Sequence, residues 1–243
     1  MLYLIGLGLW DEKDITLRGL EKARECDLVF LESYTSKLMG TDEKRLGSLI
    51  GKQIQPANRS FIEEGTILAY AKSNKVALLV PGDPFVATTH SDLILQAKEK
   101  NVKCEIIHNA SILSAMTECG LQAYKFGRSA TITFWEGDYR PTSWFDAYKE
   151  NRERGLHTLF FLDIQMEKNR FLTAQQAIKQ LLEAGLSRGE KIIVCSQLGG
   201  PNAKISFGAP DDLLQRDIGL PLQIIIVPGA LHEKEKEYLE KLQ

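Results

Sequence analysis

Cysteine is scarce in these 243 residues: Cys26, Cys104, Cys119 and Cys195 are spread along the chain with no C-x-x-C pair. Neither a disulfide framework nor a cysteine zinc site is expected, and a reducing cytoplasm is the natural setting. The histidines His90, His108, His157 and His232 are equally dispersed, with no i, i+4 pair to seat a metal, so no metal is expected. Long apolar runs are missing too. None reaches the roughly 18 residues of a membrane-spanning helix, so no membrane association is expected. Lys and Arg number 30 against 32 Asp and Glu, a net charge of −2, which leaves no excess of positive charge to hold nucleic acid. The G-x-x-x-x-G-K-[ST] phosphate loop and the G-x-S-x-G nucleophile elbow are both absent. The scattered serines, cysteines and histidines cannot be paired into a triad by spacing, because triads are spatial. No internal repeat or low-complexity tract is visible.

What is present is a 44% hydrophobic chain, ordinary for a protein with its own core, in one large or two small domains. Met1–Gly6 predicts a first β-strand, not a secretory leader. Short apolar runs then alternate with helical spacing. Strands are expected at Leu2–Gly8, Asp27–Glu32, Gln53–Pro56, Val76–Val80 and Val102–His108, and helices at Ile15–Cys26, Asp42–Ile50, Phe61–Ser73 and His90–Lys98. This repetition argues for a parallel sheet covered on both faces. The second half predicts strands at Thr131–Trp135, Thr158–Ile164, Lys191–Ser196, Lys204–Phe207 and Leu222–Val227. Its helices are expected at Ser143–Arg154, Ala174–Ala184, Asp211–Arg216 and Glu233–Leu242. The link between Ser196 and Lys204 is too short for a crossover helix, so those strands should be antiparallel and the second sheet mixed. The expected architecture is two α/β domains, 1–110 with a parallel sheet and 128–243 with a mixed one, joined by a linking segment at 111–127 that holds a helix near Ser111–Gly120.

Ligands of open α/β sheets collect at the carboxyl ends of the strands. Gly6-Leu7-Gly8 followed by Glu32 imitates a dinucleotide fingerprint. The third glycine position is Asp11, however, and Glu12 and Asp14 follow, so a pyrophosphate would meet carboxylates where it needs bare N–H groups. The alternative is that the glycines serve only a tight turn. In Pro81-Gly82-Asp83-Pro84, Asp83 either favours a cationic ligand group or caps a helix, as Thr88 can. Ser111 either caps the linking helix or binds ligand. Glu32-Ser33-Tyr34-Thr35-Ser36 adds a carboxylate and hydroxyls to the same rim. Phe134-Trp135 and Trp144-Phe145 are read as core or interface aromatics, and the lysine-rich Glu233–Lys241 as a solvated helix face.

The segments LYLIGLGLWDEKDIT (within 1–16), ESYTS (32–36), PGDPFVATTH (81–90), YKFGRS (124–129), PTSWFDAYKENRERGLHTLFFLD (141–163) and IVPGALH (226–232) carry a resemblance nearly end to end. The sequence resembles the diphthine synthase family, which belongs to the tetrapyrrole-methylase-like (class III) methyltransferases. The resemblance implies two α/β domains with S-adenosyl-L-methionine in the cleft between them, S-adenosyl-L-homocysteine as product, and a homodimer. It implies cofactor contacts at Leu9, Asp83, Val86, Ser111 and Ile112 from the first domain, and at Leu162, Leu198 and Gln223 from the second. It assigns no catalytic residue. The implied reaction is methylation of the amino group of a 3-amino-3-carboxypropyl-histidine on translation elongation factor 2 to a trimethylammonium, giving diphthine in diphthamide biosynthesis. Two alternatives stand beside it: a class III methyltransferase acting on a small tetrapyrrole, and a nucleotide-responsive binding module without catalysis.

Overall fold

Strand β1 (Leu2–Gly6) is buried along its whole length and carries no charged side chain, so its place is the interior of a sheet. The computed structural model describes residues 1–242, and the chain divides into two units: Met1–Leu113 with Met166–Lys168, and Ser114–Gln165 with the chain from Asn169 onward.

In the first unit β1 leads to α1 (Leu17–Glu25), where Thr16 Oγ1 accepts the Gly19 N–H at 3.0 Å and starts the helix. Then come β2 (Leu28–Glu32), α2 (Glu43–Ile50), β3 (Ile54–Ala57), α3 (Arg59–Glu63), α4 (Thr66–Ser73), β4 (Val76–Val80), α5 (His90–Glu99) and β5 (Cys104–Ile107). The strands lie in the order β3-β2-β4-β1-β5, all parallel, as the alternation predicts. Alternate residues feed two cores. Leu2, Leu4 and Leu78 pack with Leu68 and Leu93 from α4 and α5, while Ile5, Val29 and Leu79 pack with Ala23 and Leu46 from α1 and α2. The single helix expected over Phe61–Ser73 is two, because Gly65 takes a left-handed φ of 70° that ends one and opens the other.

The linking helix expected over Ser111–Gly120 is shorter. α6 (Ile112–Ala115) passes into a 3₁₀ turn, Met116–Cys119, closed by Gly120 at φ 85°. The second unit contains β6 (Ala130–Ile132), α7 (Trp144–Glu153), β7 (Thr158–Leu162), the two-residue strands β8 (Ile164–Gln165) and β9 (Arg170–Phe171), α8 (Ala174–Glu183), β10 (Ile192–Ser196), β11 (Lys204–Gly208), α9 (Pro210–Leu214), β12 (Gln223–Val227) and α10 (Glu233–Glu240). Its main sheet runs β11-β10-β12-β7-β6. β10 pairs antiparallel with β11 and β12, β12 antiparallel with β7, and β6 parallel with β7, so the sheet is mixed as expected.

Several boundaries differ from expectation, three of them for a visible reason. The strand expected at Thr131–Trp135 stops at Ile132, because the Phe134 N–H turns to the Asp163 carboxylate at 3.3 Å and the Trp135 indole donates to Pro141 O at 3.0 Å. The strand expected at Thr158–Ile164 ends at Leu162, and Ile164 pairs instead with Phe171. α9 starts one residue early because Pro210, with its fixed φ and no N–H, suits the first helical position. Phe134, Trp144 and Phe145 are buried in this unit's core, as their sequence context suggested. No helix among the described residues is long and apolar enough to cross a membrane.

Candidate functional site

In the first unit β1 runs on into the helices of one face and β4 into α5 on the other, although the two strands are neighbours. Their connections part at the carboxyl ends and open the crevice where such sheets bind ligands. Two turns face each other there. Gly8 donates to Gly82 O at 3.2 Å and Gly82 to Gly8 O at 2.8 Å. Gly6 permits the approach: a Cβ on it would lie 2.7 Å from Gly82 O and 2.8 Å from Asn109 Cβ.

The polar groups of this rim are tied together across three strand ends. Asp14 Oδ2 accepts the N–H of Leu9 at 3.1 Å and of Trp10 at 2.7 Å. Asn109 Nδ2 donates to Gly6 O and to Asp14 O, both at 2.9 Å. Asp83, buried, accepts the Phe85 N–H at 2.9 Å, the Asn109 N–H at 3.1 Å and His108 Nδ1 at 2.8 Å. Burial opposes ionisation of Asp83, but the Phe85 and Asn109 amides with His108 outweigh it and hold the carboxyl below its ordinary range. Of the expected contacts in this unit, Leu9 follows β1, Asp83 and Val86 follow β4, and Ser111 and Ile112 follow β5, three adjacent strands. Ser111 is buried, with a Cβ 3.8 Å from one built on Gly82. The structure thus brings these five to one end of one sheet.

The chemistry of this rim fits S-adenosyl-L-methionine and not a dinucleotide. A phosphate-binding turn presents unsatisfied N–H groups, whereas the N–H groups of Leu9 and Trp10 are already held by Asp14. The Asp14 and Asp83 carboxylates give the rim negative character, which suits a sulfonium cation and disfavours a pyrophosphate.

A second polar pair ties β2 to the loop after β4. His90 Nδ1 lies 2.7 Å from Pro84 O, which only accepts, so Nδ1 carries a proton. Nε2 lies 3.0 Å from Glu32 Oε2 with both side chains fully buried, and the Thr35 hydroxyl donates to Glu32 Oε1. Burial alone would lower the His90 pKa; the Glu32 bond and charge, with Pro84 O, raise it instead. The ring thus has one nitrogen on Pro84 O and the other facing the Glu32 carboxyl.

In the second unit Leu162 ends β7, Leu198 follows β10 and Gln223 opens β12. Because β12 runs antiparallel to both neighbours, all three lie at one end of the sheet's central strands. The Gln223 amide is used internally: Oε1 accepts the Ala174 N–H at 2.8 Å, and Nε2 lies within 3.2 Å of Ser196 Oγ, Ile218 O and Gly219 O.

Sequence reasoning missed Asn109 as the link between strand ends, and it read Glu233–Lys241 as a solvated helix face. Glu235 is in fact buried. It accepts from Gln122 N at 2.9 Å, His232 N at 2.7 Å, His157 Nε2 at 3.1 Å and the Lys125 ammonium. His157 Nδ1 accepts the Gly229 N–H at 2.8 Å, so its proton sits on Nε2 and the ring is neutral. The signal available in the sequence was His232-x-x-Glu235, a capping box at the start of α10.

A family model of the Tetrapyrrole (Corrin/Porphyrin) Methylases matches residues 1–213. The fold, with its negative crevice at the strand ends, is that of a methylase of this class. The chain is 41% identical over 264 aligned residues to the diphthine methyl ester synthase of Candida glabrata, covering 98% of this chain and 89% of that protein. For the diphthine methyl ester synthase of Saccharomyces cerevisiae the identity is 42%, over 98% of this chain and 88% of the other. A solved structure of diphthine synthase superposes with a TM-score of 0.92 at 37% identity, over 99% of this chain and 95% of that one. The chain belongs to the diphthine synthase family and is a methyltransferase.

Proposed function

We propose that the protein methylates, from S-adenosyl-L-methionine, the amino group of a 3-amino-3-carboxypropyl-histidine on translation elongation factor 2, giving diphthine. The observation that carries the reading is the Asp14-closed turn beside buried, ionised Asp83, a rim suited to a cation without phosphates. The names of the Candida and Saccharomyces relatives support the substrate. When bound, the cofactor supplies a methyl group already activated on sulfonium and leaves as S-adenosyl-L-homocysteine. Asp83 favours the cationic end, while Leu9, Val86 and Ile112 exclude water from it. Ser111 adds a hydroxyl at the mouth of the linking helix. The resemblance adds Leu162, Leu198 and Gln223. With its side-chain amide already used, Gln223 would act through its backbone. Alignment accounts for most of such a transfer, so no side chain is assigned as catalytic acid or base.

The test combines purified protein, S-adenosyl-L-methionine and elongation factor 2 bearing the precursor histidine, read by mass spectrometry. Three methyl groups stable to mild alkali are expected. The relatives' name includes a methyl ester, and a fourth, alkali-labile methyl would place this protein with them. An unchanged peptide, with a porphyrinoid methylated instead, would favour the tetrapyrrole reading; binding of NAD alone would overturn both. We also read the protein as a cytoplasmic homodimer, for which analytical ultracentrifugation should give twice the 27.3 kDa chain mass.

A further inference from the structure

A cavity of about 480 Å³ opens in the first unit at the carboxyl ends of β1, β2 and β4. Its size falls within the range of small-molecule sites. Leu7, Leu31, Leu38, Leu46 and Pro81 give it a carbon floor. Ser36, Lys37, Glu43 and Lys44 stand at its margin. Neither lysine ammonium has a hydrogen-bond or ion-pair partner among the described residues.

The cavity shares none of the five residues assigned to the cofactor in this unit, yet it lies beside them. Leu7 is two residues before Leu9 on the same connection, and Pro81 is two residues before Asp83. A transfer between two bound molecules needs a second pocket adjoining the first, so that donor and acceptor meet without water between them. We infer that this cavity receives the methyl acceptor: an aminocarboxylate carried on a heteroaromatic ring, with the ring on the leucine floor and the carboxylate toward Lys37 and Lys44. Of the acidic residues in the lining, Glu32 is engaged by His90 and Thr35 and Asp42 caps α2, which leaves Glu43 to face an amine. This assignment rests on the methyl transfer proposed above. It adds where the acceptor binds and which residues choose it.

Two variants and one probe test it. Lys37→Met with Lys44→Met removes the carboxylate partners, and Ser36→Trp fills the mouth. The double substitution should raise the KM for precursor-bearing elongation factor 2 roughly tenfold, the loss expected for about 1.4 kcal/mol of binding. Ser36→Trp should raise it further. The Kd for S-adenosyl-L-methionine, measured by calorimetry, should stay within about twofold of wild type, which also shows that the variants are folded. The probe, 2-amino-4-(imidazol-2-yl)butanoate, should inhibit competitively against elongation factor 2 and not against the cofactor. An unchanged acceptor KM in both variants would overturn the inference while leaving the proposed function intact. A parallel loss of cofactor affinity would also overturn it, by giving the cavity to the cofactor. A wild-type protein that transfers no methyl group would overturn the proposed function and this assignment together.

Discussion

Glu235 offers a quantitative test of how the C-terminal helix is held. Its side chain is 1% exposed and receives hydrogen bonds from Gln122, Lys125, His157 and His232. Burial would raise its pKa, but the Lys125 ammonium, the Gln122 and His232 amides and His157 outweigh burial and lower it from 4.5 to about 2. At about 1.4 kcal/mol per tenfold change in proton affinity, that fall corresponds to roughly 3 kcal/mol of stability. A folded-state value below the unfolded one gives stability that is fully present above pH 4.5 and lost as pH falls toward 2. Glu235→Gln keeps the shape but removes the charge and turns an NH₂ toward the donors. Urea denaturation at pH 7 should show the variant less stable by about 3 kcal/mol, and the gap should narrow by about 1 kcal/mol at pH 3.5. A gap under about 1 kcal/mol at pH 7, or one that does not narrow on acidification, would refute the reasoning.

Other outcomes follow from the first unit. Gly6→Ala forces a methyl group against Gly82 O and Asn109, so cofactor affinity should fall at least tenfold, with a lower Tm; a variant that binds normally would show the turns are not in close contact. Asp83→Asn keeps an acceptor for Phe85 but loses the charge, and calorimetry should show roughly tenfold weaker cofactor binding. Unchanged affinity in the folded variant would make Asp83 a structural tie alone. The raised His90 pKa means that the Glu32–His90 pair stabilises fully below pH 6.5 and loses that contribution as pH rises through the folded-state value. The Tm difference between wild type and Glu32→Gln should therefore be larger at pH 6 than at pH 9, and a difference independent of pH would exclude an imidazolium at His90.

Much of the fold could be read from the chain because buried parallel strands announce themselves. Val76–Val80 is apolar at every position and was located residue for residue. Helix breaks were harder. Gly65 sits inside a run of helical spacing, and only its left-handed φ separates α3 from α4. The rim residues Asp83 and Ser111 were visible as strand-end polar groups, since that position has chemical meaning in any open sheet. Asn109 was not, because its bonds to Gly6 and Asp14 join positions some hundred residues apart. Glu235 escaped for the opposite reason. It is one carboxylate among alternating charges; the His232-x-x-Glu235 spacing marks it as a helix cap, but nothing local shows that it also faces His157 and Lys125.

The closure of the first turn by Asp14 has a kinetic side. A loop whose amides are satisfied by its own carboxylate has no need of a ligand to complete it. Such a turn is preorganised, and preorganisation lowers the ordering entropy that opposes binding. The repeated methylation proposed above would require spent cofactor to be exchanged for fresh between transfers. For such a cycle a rigid, self-satisfied turn is an advantage: the chain does not refold around each new donor, and release of the product leaves no stranded N–H groups behind.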